Sequence, residues 1–135
     1  MVKIQATYDG HLRTTATHLP SSNVLYTDAP TDNQGKGEAF SPTDLVATAC
    51  LSCMITSMGI VAQNNDLALG TVSGEVEKIM SPAPRRISRL QIELIFEGHN
   101  LSDTDKTLLE NAALSCPVTR SLHPDTIVNL KFRYE

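Results

Sequence analysis

The segment from Leu45 to Ala62 is almost wholly apolar, and Ser41-Pro42-Thr43-Asp44 stands directly before it. Ser41 can cap a helix, Pro42 suits the first helical position, and Asp44 falls three residues after the cap, near the positive helix end. These residues predict a helix running to about Asn64 or Asn65. Leu45, Val46, Ala49, Cys50, Cys53, Met54, Ile55, Met58, Ile60 and Val61 cover most of its circumference. A helix apolar on all sides must be buried by more than one neighbour. Within 135 residues the simplest cover is a second copy of the chain. The expectation is an intimate homodimer with helices from both chains inside and sheets outside. The length itself points to one domain, residues 1–135.

The remainder reads mostly as strands. Val2, Ile4, Ala6 and Tyr8 alternate with polar residues, a period of two. Asp9-Gly10 is a hairpin turn signal, with a returning strand over Leu12–His18. Ser21-Ser22-Asn23 marks another turn before a third strand, Val24–Thr27, and residues 28–37 form a loop. Leu69–Lys78 and Ile87–Phe96 alternate again around Ser81-Pro82-Ala83-Pro84, and predict a long hairpin with one covered and one wet face. A second helix is predicted from Ser102 to Ser115, with Asp105 three residues after the cap. Cys116-Pro117 begins a short further turn, and Thr126–Tyr134 closes the chain as a strand. The order β-β-β-α-β-β-α-β gives an α+β domain.

Composition excludes some functions. The net charge is −4, and no basic cluster exceeds Arg85-Arg86 with Arg89, so a nucleic-acid partner is not expected. The first residues carry no apolar signal region. The longest apolar run counts as shorter than a membrane span and is broken by Thr, Ser and Cys. The expectation is a cytoplasmic protein without a membrane partner. Three cysteines are an odd number, which disfavours a secreted disulfide framework. A structural zinc site is not expected, because there is no second C-x-x-C and no H-x₃₋₅-H, and the four histidines are scattered. No phosphate loop, dinucleotide fingerprint or nucleophile elbow is present.

Two thiols invite a chemical reading. Cys53 lies inside the apolar helix, where a free cysteine ordinarily packs as a small hydrophobe. Cys116 precedes Pro117 and can occupy a helix cap, where peptide N–H groups and the helix dipole favour a thiolate. Placed to meet each other, the two would form a redox pair. Cys50 and Cys53 also form C-x-x-C, three residues apart on one helix face. That pair lacks the helix N-terminal position of thioredoxin-like sites, so Cys50 reads as core.

Ser41-Pro42-Thr43-Asp44-Leu45, Cys53 twelve positions after Ser41, and the late Cys116-Pro117-Val118-Thr119 together resemble the OsmC/Ohr family, the osmotically inducible and organic-hydroperoxide-resistance proteins. Arg13-x-x-Ala16-Thr17-His18, Thr27-Asp28-Ala29-Pro30 and Gly37-Glu38-Ala39-Phe40 resemble its OsmC-like subgroup. The resemblance covers nearly the whole chain. It implies two antiparallel β-sheets around central helices in an intertwined homodimer, with active sites at the subunit interface. It further implies thiol-dependent reduction of organic hydroperoxides without metal, haem or other cofactor. By position, Cys53 would be the peroxidatic thiol and Cys116 the resolving thiol, with an external dithiol as reductant.

The chain departs from the family pattern in one place. Family peroxidases usually carry a Glu at the third position of the helix-start motif, where it helps fix an Arg near the thiol; here that position is Thr43. Asp44 would point about a hundred degrees away around the helix. Glu38 could substitute from the loop, and Arg13 is the first candidate for the cation that stabilises the thiolate. The competing readings are a non-catalytic protein holding an apolar ligand in its dimer cleft, and a thiol oxidoreductase using Cys50 and Cys53.

Overall fold

A computed structural model describes residues 1–135, and the chain divides into two compact units, Met1–Val46 and Ala47–Glu135. The boundary falls within the first turns of helix α1 (Pro42–Asn64). The α+β class and the element positions follow the expectation; the turn begun by Cys116-Pro117 is a short helix, and the loop after the third strand holds a single 3-10 turn, Thr31–Asn33.

The first unit holds a three-stranded antiparallel sheet of β1 (Ile4–Gly10), β2 (Arg13–His18) and β3 (Asn23–Asp28) in sequence order. Its first turn differs from the predicted one. Gly10, at φ +85°, takes up a register shift, and the reversal falls on His11 and Leu12, at φ 54° and 63°. A glycine beside a hairpin can serve the bulge instead of the turn, and Asp9-Gly10 alone does not distinguish the two. Most side chains of β1 and β3 are exposed, including Ile4 at 66%, Tyr8 at 68% and Tyr26 at 58%. The first turn of α1 is closed by a capping box. The Asp44 N–H donates to Ser41 Oγ (3.1 Å), and the Ser41 N–H donates to Asp44 Oδ2 (2.9 Å).

The second unit holds β4 (Thr71–Pro82), β5 (Arg85–Glu97) and β6 (Ile127–Tyr134), with β5 central. The β4–β5 hairpin is tighter than predicted. Pro82 pairs with Arg85, leaving Ala83-Pro84 as the whole turn, and Arg85 and Arg86 join the strand. β6 runs parallel to β5. A parallel neighbour needs a crossover, which α2 (Asp103–Leu114) and α3 (Pro117–Ser121) supply. Ser102 and Asp105 close a capping box on α2, as their spacing predicts.

The core of this unit forms between one face of the sheet and one stripe of α1. Leu90, Ile92, Leu94 and Phe96, every second residue of β5, are buried together with Ala47, Cys50, Met54, Met58 and Ala62, spaced three or four apart on α1. Leu109 and Ala113 of α2 complete it. Gly74 of β4 permits the close packing: a Cβ there would lie 2.9 Å from Leu51 of α1 and 2.8 Å from Leu94. At the far edge Tyr134 stacks on Phe96, with ring centroids 4.8 Å apart, and its hydroxyl donates to Glu110 (2.9 Å).

Only one stripe of α1 is covered by its own chain. Ile60 stays 56% exposed, and Ala49 and Thr56 are exposed with it. The helix ends at Asn64, as the sequence predicts, and so extends beyond the apolar run Leu45–Ala62 at both ends. Its 23 residues, with a mean hydropathy of 2.0, are enough by length and composition alone to cross a membrane. The Thr, Ser and Cys interruptions are too weakly polar to bring that average down.

Candidate functional site: three thiols and an arginine clamp

All three cysteines are free, and all lie in the second unit. α1 presents Cys50 on its buried stripe and Cys53 less than one turn later, half-buried against the edge of the core. Cys116 ends the α2–α3 connection as the N-cap of α3, as predicted. There its sulfur accepts from the Thr119 N–H at 3.4 Å. Pro117 at the first helical position fixes this geometry, because it fits there without an N–H to satisfy.

The residue the sequence reading missed is Thr119. Its hydroxyl lies 2.9 Å from Cys116 Sγ and 3.5 Å from Cys50 Sγ, so one hydroxyl serves two buried sulfurs. Cys50 and Cys116 are 0% and 1% exposed. Burial pushes the Cys50 thiol up, and the Thr119 hydroxyl partly opposes this; Cys116 and Cys53 both act on Cys50 electrostatically in the same direction as burial. Cys50 is therefore core, as read, but polar-bonded core. A cap residue whose third successor carries a hydroxyl is the signal that could have found Thr119.

Arg13 and Glu38 lie in the first unit, and the fold brings them together. Arg13 Nη2 donates to Glu38 Oε2 at 3.2 Å. The stronger partner is Asp28, also missed: Arg13 Nε donates to its Oδ1 (2.7 Å) and Nη2 to its Oδ2 (2.8 Å), a bidentate fork. The Glu38 N–H donates to the same carboxylate at 3.0 Å. Asp28 is 2% exposed at its side chain against 37% for Arg13. Hydrogen bonding from Arg13 holds the Asp28 carboxyl below the usual carboxylate range, against the opposing effect of burial. Asp28 in turn raises the Arg13 guanidinium further above its ordinary value. Arg13 and Asp28 are direct cross-strand partners of β2 and β3. Drawing that register around the four-residue turn Leu19–Ser22 would have revealed the pair.

The Thr43 hydroxyl lies 3.2 Å from Ser41 Oγ. No group of three His, Cys, Asp or Glu side chains is arranged to hold a metal ion. A concave surface of about 350 Å³ on the outer face of the second sheet is lined by Glu75, Glu77, Gln91, Glu93, Asn129 and Lys131, among others, and contains none of the cysteines.

An α+β chain with a thiol on its long helix and a second thiol capping a late helical turn defines a class, and the comparisons identify it. The family model for OsmC-like protein matches residues 35–131. A Psychrobacter arcticus protein named for osmotic stress induction and a detoxification response is similar in structure, with TM-score 0.92, 46% identity, and coverage of 98% of this chain and 96% of that one. An organic hydroperoxide resistance protein from Legionella pneumophila (TM-score 0.71, 21% identity, 98% and 96% covered) shares the fold. So does the organic hydroperoxide resistance protein OhrB of Bacillus subtilis (TM-score 0.68, 16% identity, 98% of both chains covered). A comparison with curated proteins found no match. The chain belongs to the OsmC-like family.

Proposed function

We propose that the protein is a thiol-dependent reductase of organic hydroperoxides, with Cys53 as the attacking thiol and Cys116 as the resolving thiol. The observation that carries this reading is the graded access of the three thiols. Cys53 alone is partly exposed, as a nucleophile that meets a peroxide must be, while Cys50 and Cys116 are buried. The Cys53 thiolate attacks the O–O bond, takes one oxygen as sulfenate and releases an alcohol. Cys116 condenses with the sulfenic acid, expelling water and forming a disulfide. An external dithiol then restores both thiols by exchange. No metal or other cofactor enters this cycle.

Arg13 is proposed as the cation that supports the thiolate, with Asp28 and Glu38 fixing its guanidinium. The protein is further proposed to work as a homodimer in the cytoplasm, where unpaired thiols persist. Ile60 of α1 and the exposed apolar side chains of the first sheet favour the dimer. The groove on the second sheet contains none of the thiols and adds nothing to the reading of an apolar ligand in the dimer cleft.

Variants test the roles. Cys53→Ser should reduce cumene hydroperoxide consumption to the uncatalysed background. Cys116→Ser should still allow one turnover, leaving a sulfenate that dimedone traps. Arg13→Gln should slow consumption by about tenfold, the effect of losing roughly one charge-assisted hydrogen bond. Equal activity in Cys53→Ser and the parent would overturn the proposal.

A further inference from the structure

Cys50 has no part in the cycle above, yet it is the thiol that the fold ties to Cys116. The Thr119 hydroxyl bridges the two sulfurs at 3.5 Å and 2.9 Å. Cys53 lies three residues further along the same helix. Cys50 thus shares a hydroxyl with Cys116 and a helix with Cys53. We propose that Cys50 is a third redox thiol, which receives the disulfide from Cys53 and stores it as a buried Cys50–Cys116 bond.

This rests on the proposed peroxidase cycle for its first step. One hydroperoxide and the thiols of Cys53 and Cys116 give an alcohol, water and the Cys53–Cys116 disulfide. The Cys50 thiolate then attacks Cys116 Sγ. A Cys50–Cys116 bond forms, the Cys53–Cys116 bond breaks, and Cys53 leaves as a thiolate. No electrons enter or leave in this second step. Burial delays it, because the attacking thiol must first ionise in an apolar site. Peroxide reduction therefore comes first and exchange second. The transfer frees Cys53 for a second peroxide, which converts it to a sulfenate and releases a second alcohol. With its resolving partner already bonded to Cys50, that sulfenate persists. The chain would then report a sustained peroxide load as a long-lived sulfenate on Cys53 above a buried disulfide.

The test is a titration of the fully reduced protein with cumene hydroperoxide, anaerobically and with dimedone present. Acid quenching, alkylation and fragmentation mass spectrometry follow, since Cys50 and Cys53 share a tryptic peptide. The inference predicts two peroxides consumed per chain, a dimedone adduct on Cys53 and a Cys50–Cys116 bond. Cys50→Ser and Cys50→Ala, the second in case the hydroxyl destabilises the core, should each consume one and retain Cys53–Cys116. A parent chain that stops at one peroxide with Cys50 still alkylatable would overturn the relay and leave the peroxidase reading standing. A Cys50–Cys53 bond would also overturn it. Diamide, which oxidises dithiols without peroxide, separates the two claims. If peroxide is inert but diamide yields Cys50–Cys116, the buried pair stands and the peroxidase reading falls. If diamide also fails to yield that bond, the relay falls with it.

Discussion

At the scale of single residues, two polar side chains hold the clusters together, Thr119 among the thiols and Asp28 around Arg13. Thr119 offers one hydroxyl to two buried sulfurs. Thr119→Val keeps the shape and removes the hydroxyl, and should cost about 1 kcal/mol, measured by urea unfolding of the reduced protein. Asp28 organises the other cluster by holding Arg13 in a bidentate fork. Its carboxyl is lower in the folded chain than in the unfolded one. Its contribution to stability is therefore complete above the unfolded value, about 3.9. It is lost as pH falls through the folded value. Asp28→Asn should lower the urea midpoint at neutral pH and flatten its decline on acidification; an unchanged acid limb would refute this assignment. Asp28 was not legible from local sequence, and Thr119 only through the cap three residues before it. Asp28 looks like a loop residue in Thr27-Asp28-Ala29-Pro30, because its partner is fifteen positions away. Thr119 looks like an ordinary helical residue until Cys116 is seen to cap. Cys53 and Cys116 are candidates by the family pattern, Arg13 and Glu38 by the departure from it at Thr43, and Arg13 with Glu38 forms a contact.

At the scale of elements, caps and periods read well and turns read poorly. Ser41-x-x-Asp44 and Ser102-x-x-Asp105 both close capping boxes, since a cap depends on neighbours three residues away. Ser102→Ala should destabilise the chain by about 1 kcal/mol, seen as a lower urea midpoint with an unchanged slope. The alternation of β5 likewise foretold its buried face. The hairpin turns moved because their residues do double service. Gly10 takes the bulge, and Pro82 stays inside the strand as far as its pairing with Arg85. The parallel pairing of β5 and β6 was not readable, because nothing local to either strand records its neighbour's direction.

At the scale of the whole molecule, an all-round apolar helix has only one stripe buried by its own chain, and a small sheet has apolar side chains exposed. A three-stranded sheet needs a covered face for stability. Burial of apolar area supplies the main drive for association. Light scattering should therefore give twice the 14.7 kDa chain mass, and Ile60→Asp should shift the population towards single chains; a protein that is monomeric at micromolar concentration would contradict the dimer. The central claim concerns the thiols, and peroxide consumption tests it most directly. Reduced parent and Cys53→Ser chains should be mixed anaerobically with cumene hydroperoxide, following peroxide loss and free thiols together. The account predicts rapid loss of peroxide and thiols in the parent and none above background in Cys53→Ser. Thiols that survive excess peroxide in the parent, or equal consumption by both chains, would contradict it.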